Sequence, residues 1–194
     1  MFFTKQDPNT IHYYDTQDPK AKQKFSGILI SHFKKAFAAQ RPLVFLCIGS
    51  DRATGDALGP LIGQNIQQFK NKKRVLTHTL FVYGSLSKPV HAMNLSETVN
   101  LIYQNHAYPY IIAIDASLGI QKHIGYVTLG HGPLTPGIGV GKRLPAVGDA
   151  HITGIVNTGN GADLNQILQT THLSTVVELS DFVSDSIVNI LQQC

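Results

Sequence analysis

Two aspartates stand where a chain of this pattern can do chemistry. Asp56 lies in GSDRATGDALGP, a polar, glycine-bearing loop that follows the apolar run LVFLCI (43–48), and Asp115 ends a second apolar run in YIIAIDASLG (110–119). Short continuous apolar runs belong to strands covered on both faces. Ligands of a doubly wound sheet collect beyond the carboxyl ends of such strands. Two carboxylates meeting there have their proton affinities pushed apart, which leaves one as a base for water and the other as an acid. The same pair can instead ligate a divalent metal. Each aspartate also has a plainer reading: Asp56 as an acidic residue facing a helix dipole, Asp115 as the residue that turns its strand into a loop.

The elements that would carry these residues alternate in type. Pro19 suits the first turn of a helix running to about Phe37, with Phe25, Ile28, Leu29, Phe33 and Phe37 at helical spacing. The strand at 43–48 leads through the Asp56 loop into a helix from 57 to about 69, whose Pro60 is tolerated in the first turn. A strand at 75–82, a helix at 94–105 and a strand at 110–114 follow. Strands are expected again at 125–129 and 152–156, and helices at 161–170 and 173–193. Residues 1–18 show no period, and 131–148 are rich in glycine and proline without one. This alternation predicts a single α/β domain, a three-layer α/β/α sandwich around a mostly parallel sheet.

Composition narrows the function. The 194 residues hold 16 lysines and arginines against 12 acids, but the basic residues are dispersed, so no nucleic-acid surface is expected. No apolar run approaches the roughly 20 residues of a membrane span. MFFTKQDPNT lacks the apolar region of a secretory signal. With only Cys47, inside an apolar run, and Cys194, no disulfide framework is present, and a cytoplasmic location is expected. Gly137, Gly139 and Gly141 precede no helix and form no GxxxxGK[ST], which argues against a nucleotide cofactor. No GxSxG elbow is present.

Beyond the aspartates, Asp51 and Arg52 share the Asp56 loop, and Lys142, Arg143 and Asp149 stand in or beside the glycine-rich stretch. These five are candidates to hold an extended peptide or a carboxylate. Contact with a second copy of the chain, as in a homo-oligomer, is the alternative use of that stretch. His91 in PVHAMN and His151 in GDAHITG are the histidines that could join Asp56 and Asp115 at a metal; the plainer reading makes each a satisfied loop or core residue.

The segments VFLCIGSDRATGDALGP, VYGSLSKPVHAMNL, IIAIDASLG and GHGPLTPGIGVGKRLPAVGDAHITGIVN together resemble the YyaC family of sporulation proteins, from about Val44 almost to the end. That family is similar in fold to the spore germination protease and to hydrogenase maturation endopeptidases. The resemblance implies a peptidase-like fold, a protein or peptide substrate, and catalytic roles for Asp56 and Asp115. In the endopeptidases the equivalent acidic residues, with a histidine, hold the nickel of the substrate precursor. A binding protein that keeps the peptidase fold without its activity is the competing expectation.

Overall fold

A computed structural model describes residues 10–73, 79–137, 144–159 and 163–193. It contains β1 (Ile11–Asp15), α1 (Ala21–Ala38), β2 (Leu43–Cys47), a 3-10 turn (Thr54–Ala57) and α2 (Leu58–Lys73). These are followed by β3 (Leu80–Tyr83), α3 (Leu95–Asn105), β4 (Tyr110–Gly119), β5 (Tyr126–His131), β6 (Ala150–Thr158), α4 (Leu164–Gln169) and α5 (Leu173–Leu191). The strands form one sheet in the order β1-β5-β6-β4-β2-β3. Every neighbouring pair in β6-β4-β2-β3 is parallel, whereas β5 runs antiparallel to both β1 and β6. The fold is therefore mixed α/β with a mostly parallel sheet.

Both faces of β2 are buried, as its continuous apolar sequence requires. Leu43, Phe45 and Cys47 face a core built with Phe25, Leu29 and Phe33 of α1, Ile62 and Ile66 of α2, and Val183 and Ile187 of α5. Val44 and Leu46 face the other way, against Leu95 and Ile102 of α3 and against Val147. Helices thus flank the sheet on both sides, α1, α2 and α5 on one face, with Leu168 of α4 against the same core, and α3 on the other. Because β2 lies between β3 and β4 and the crossovers through α2 and α3 pass on opposite faces, the chain leaves the β2 and β4 ends in opposite directions. A crevice opens at that switch point.

Two strands differ from the sequence expectation. β1 was expected to be aperiodic chain; only Tyr14 of its five residues is buried, so an edge strand with one inward side chain carries almost no hydrophobic signal. β4 does not end at Asp115 but continues to Gly119, paired throughout with β6. The strand expected at 75–82 is seen as β3 from Leu80, and 74–78 lie outside the described residues.

The β3 edge of the sheet is closed. Leu43 N–H donates to the Thr79 carbonyl on the β2 side, so the alternate carbonyls of Leu80 and Val82 face outward. Lys70 Nζ donates to the Leu80 carbonyl, and Gln67 Nε2 to that of Val82 at 3.4 Å. Two α2 side chains one turn apart thus occupy the acceptors that another strand would need. No described helix is long and apolar enough to cross a membrane.

Candidate functional site

The loop after β2 is folded back over the end of its own strand. Ile48 N–H donates to the Ile114 carbonyl at 2.7 Å, and Gly49 N–H to the Val90 carbonyl at 2.7 Å. Gly49 then turns the chain at φ +136°, and a Cβ there would overlap the Asp56 carbonyl oxygen. Only glycine combines that dihedral with that approach. Ser50 N–H closes the loop onto the same Asp56 carbonyl at 3.1 Å. Asp56 consequently stands over the crevice, in the turn that leads into α2. Its turn has Ala53 as N-cap and makes no side-chain cap hydrogen bond, so Asp56 is not spent on capping.

Asp115 reaches the crevice from within a strand. Ile114 pairs with Cys47, the last residue of β2, so Asp115 is the first position of β4 to overhang that end. Its Oδ1 accepts a hydrogen bond from Ala116 N–H at 2.8 Å. Across the sheet Asp115 pairs with Thr153, Thr153 with Thr128, and Thr128 with Tyr13, which sets a polar row over four strands. Thr128 and Thr153 share a hydrogen bond at 2.7 Å, and Ser117 Oγ donates to Thr153 Oγ1 at 3.2 Å.

Both aspartates line one open cleft of about 460 Å³. Ile48, Met93, Leu144 and Leu168 supply apolar wall, and Ser50, Arg52 and His91 supply polar rim. Burial raises the Asp115 carboxyl well above the ordinary carboxylate range, and the neighbouring Asp56 charge raises it further. Burial also raises Asp56, but hydrogen bonds from Ser50 and the proximity of His91 oppose the shift by favouring its anion. The pair is thereby biased toward a protonated Asp115 beside an ionised Asp56.

The remaining candidates divide. Arg52 lies on the cleft rim. Asp51, in the same loop, is exposed and does not line the cleft. Lys142 and Arg143 lie outside the described residues. Asp149 sits at the opposite end of the sheet, where its two carboxylate oxygens accept from Arg41 at 2.8 Å and from Ile111 N–H at 2.9 Å. It ties the starts of β4 and β6 to Arg41, two residues before β2, and the structure does not bring it to the cleft. His151 is not in the cleft either; its Nδ1 donates to the Gly132 carbonyl at 3.0 Å, and its ring fills the space that the missing side chain of Gly130 leaves. His91 alone of the two histidines faces the aspartates.

A metal fits this donor set poorly. Among the described residues no three His, Cys, Asp or Glu side chains converge closely enough to hold an ion. Cys47 is buried beneath the site, and burial pushes its thiol up, away from the reactive thiolate.

Sequence reasoning overlooked Ser50 and the apolar wall of Met93, Leu144 and Leu168. Ser50 directly follows the strand-ending glycine, a usable signal; the wall residues come from three distant segments, and no local pattern marks them.

The chain is 42% identical over 175 residues to the uncharacterized protein YyaC of Bacillus subtilis (strain 168), covering 90% of this chain and 81% of the relative. In fold it is similar to the [NiFe] hydrogenase maturation protease HycI from Thermococcus kodakarensis KOD1, with a TM-score of 0.52 and 16% identity. That match covers 82% of this chain and 98% of the other. The model of the family described as "Protein of unknown function (DUF1256)" matches residues 12–186, nearly the whole chain, and the protein belongs to that family.

Proposed function

We propose that the protein is a peptidase-like hydrolase of sporulation, which opens an amide bond of a protein or peptide with Asp56 as base and Asp115 as acid. The observation that carries this reading is that two carboxyl groups line one cleft, both held above the ordinary carboxylate range and Asp115 further than Asp56. In the reaction, ionised Asp56 takes a proton from water as the water oxygen bonds to the carbonyl carbon. Protonated Asp115 gives its proton to the leaving nitrogen as the C–N bond breaks. Return of one proton from Asp56 to Asp115 restores the pair, and no other reactant is needed. The apolar wall and Arg52 give the substrate's flanking residues somewhere to rest. The place in sporulation rests on the resemblance of the sequence segments to the YyaC family of sporulation proteins.

The test is incubation of the native protein with a peptide library and spore-protein substrates, beside an Asp56→Asn/Asp115→Asn variant. Cleavage by the native chain and not by the variant supports the reading. If neither cleaves while both fold normally, the cleft belongs to a non-catalytic binding protein. Met93, 83% exposed on the cleft rim, is the feature that favours this second reading.

A further inference from the structure

His91 is held by its own loop in a way that decides which ring nitrogen carries a proton. Val90 bridges to Ile48 in parallel register, which brings the 89–94 segment against the end of β2. Asn94 then clamps the segment: its Oδ1 accepts from His91 N–H at 2.8 Å and its Nδ2 donates to the Pro89 carbonyl at 3.1 Å. Within this clamp Met93 N–H donates to His91 Nδ1 at 3.3 Å.

A backbone amide can only donate, so Nδ1 must present a lone pair, and the proton of the neutral ring sits on Nε2. Protonating Nδ1 would set two N–H groups against each other. The loop therefore opposes the Nδ1–H tautomer that a metal bound at Nε2 requires.

We propose that His91 is the oxyanion donor of the cleft, its Nε2–H binding the substrate carbonyl oxygen as negative charge develops there. This assignment rests on the two-aspartate reading of the site. As water adds to the carbonyl carbon, the C=O electron pair moves onto oxygen, and that anion forms close to the ionised Asp56. The His91 donor offsets it without giving up its proton, which stays on Nε2 throughout. Collapse of the tetrahedral species returns the pair to the C=O bond and expels the nitrogen, protonated by Asp115. A donor that keeps its proton suits this place because Asp56 already serves as the base.

The tautomer is read directly from imidazole 15N shifts of histidine-labelled protein. The chain has nine histidines, so the His91 signals are assigned by their loss in His91→Gln. The Nε2–H pattern at neutral pH, unchanged by Ni²⁺ or Zn²⁺, is expected. An Nδ1–H pattern, or metal-induced displacement of the Nε2 signal, overturns the proposal whether or not a substrate is known. On a cleaved peptide, His91→Ala should lower kcat roughly 10²–10³-fold with KM little changed. His91→Gln, which retains an N–H donor, should recover part of the loss, and the limbs of the pH profile should stay in place. Full activity in His91→Ala beside an inactive Asp115→Asn sinks the His91 assignment and leaves the two-aspartate reading standing.

Discussion

Asp56, in the turn that follows β2, and Asp115, in the neighbouring parallel strand β4, line one crevice, and the charge of the first strengthens the hold of the second on its proton. Catalysis by this pair needs one proton between two carboxyl groups. Activity should therefore fall at low pH, when Asp56 gains a proton, and at high pH, when Asp115 loses its own. Both limbs should lie above the ordinary carboxylate value of about 3.9. The profile of kcat/KM against pH checks this, and a rate that is flat from about pH 4 to 9 would contradict it.

The same shift predicts a stability effect. Asp115 holds its proton more tightly folded than unfolded, so it costs the native state nothing below about pH 3.9 and progressively more as pH rises toward its folded value. Asp115→Asn should raise stability at pH 7 by about 0.5–2 kcal/mol while abolishing activity, with the gain vanishing near pH 3. Thermal melts at the two pH values decide it.

His32 has the opposite dependence. It is fully buried in α1, with Nδ1 at 2.7 Å from Tyr110 Oη and its ring 4.6 Å from that of His131. Burial foremost, with His131, Lys35 and His151 adding to it, pushes it down to about 3. The unfolded chain takes up this proton first, so the contribution of a neutral His32 is intact above about pH 6.5 and is lost as pH falls from there toward 3. The slope should approach about 1.4 kcal/mol per pH unit. In His32→Gln, denaturant melts between these limits should show a shallower slope; an unchanged slope would rule His32 out as its source.

Gly49→Ala should be severe. The added Cβ meets the Asp56 carbonyl oxygen and the backbone must keep a φ of +136°. A loss of about 3 kcal/mol or more is expected, together with displacement of Asp56 and loss of activity. Gly27→Ala is the control, since a Cβ there meets nothing within 4 Å.

Removing the side chains that close the β3 edge should make the protein associate. Gln67→Ala/Lys70→Ala frees the Leu80 and Val82 carbonyls, and light scattering should show a concentration-dependent rise in mass that the native chain lacks. Identical scattering from the two proteins would show that the edge needs no guard.

Much of this was legible because burial on both faces writes itself into sequence. LVFLCI and YIIAI could be little else than central strands, and the Phe25–Leu29–Phe33 spacing fixed α1. The aspartates were legible because strand-end carboxylates in such a fold converge on one crevice. What escaped was non-local. Asp149 lies beside the glycine-rich stretch in sequence, yet it pairs with Arg41 at the far end of the sheet, 108 residues away along the chain. His91 and His151 look alike as loop histidines, and only the register of β6 and the bridge of Val90 to Ile48 separate the one in the cleft from the one in the sheet. β1 was invisible because its partner, β5, supplies the reason for its being a strand.

The unequal margins of the sheet also limit how copies of the molecule could grow on one another. At one margin Lys70 and Gln67 occupy the outward acceptors; at the other, β1 presents Ile11 and Tyr13, 47% and 53% exposed. Propagation of strands from copy to copy needs two receptive margins, a head and a tail. Among the described residues, with the β3 margin shut, margin-to-margin joining is left to β1 with β1 about a two-fold axis, which uses up the receptive side of both copies at once. Joining of that kind stops at a pair, and the fold carries its own chain terminator against fibre formation.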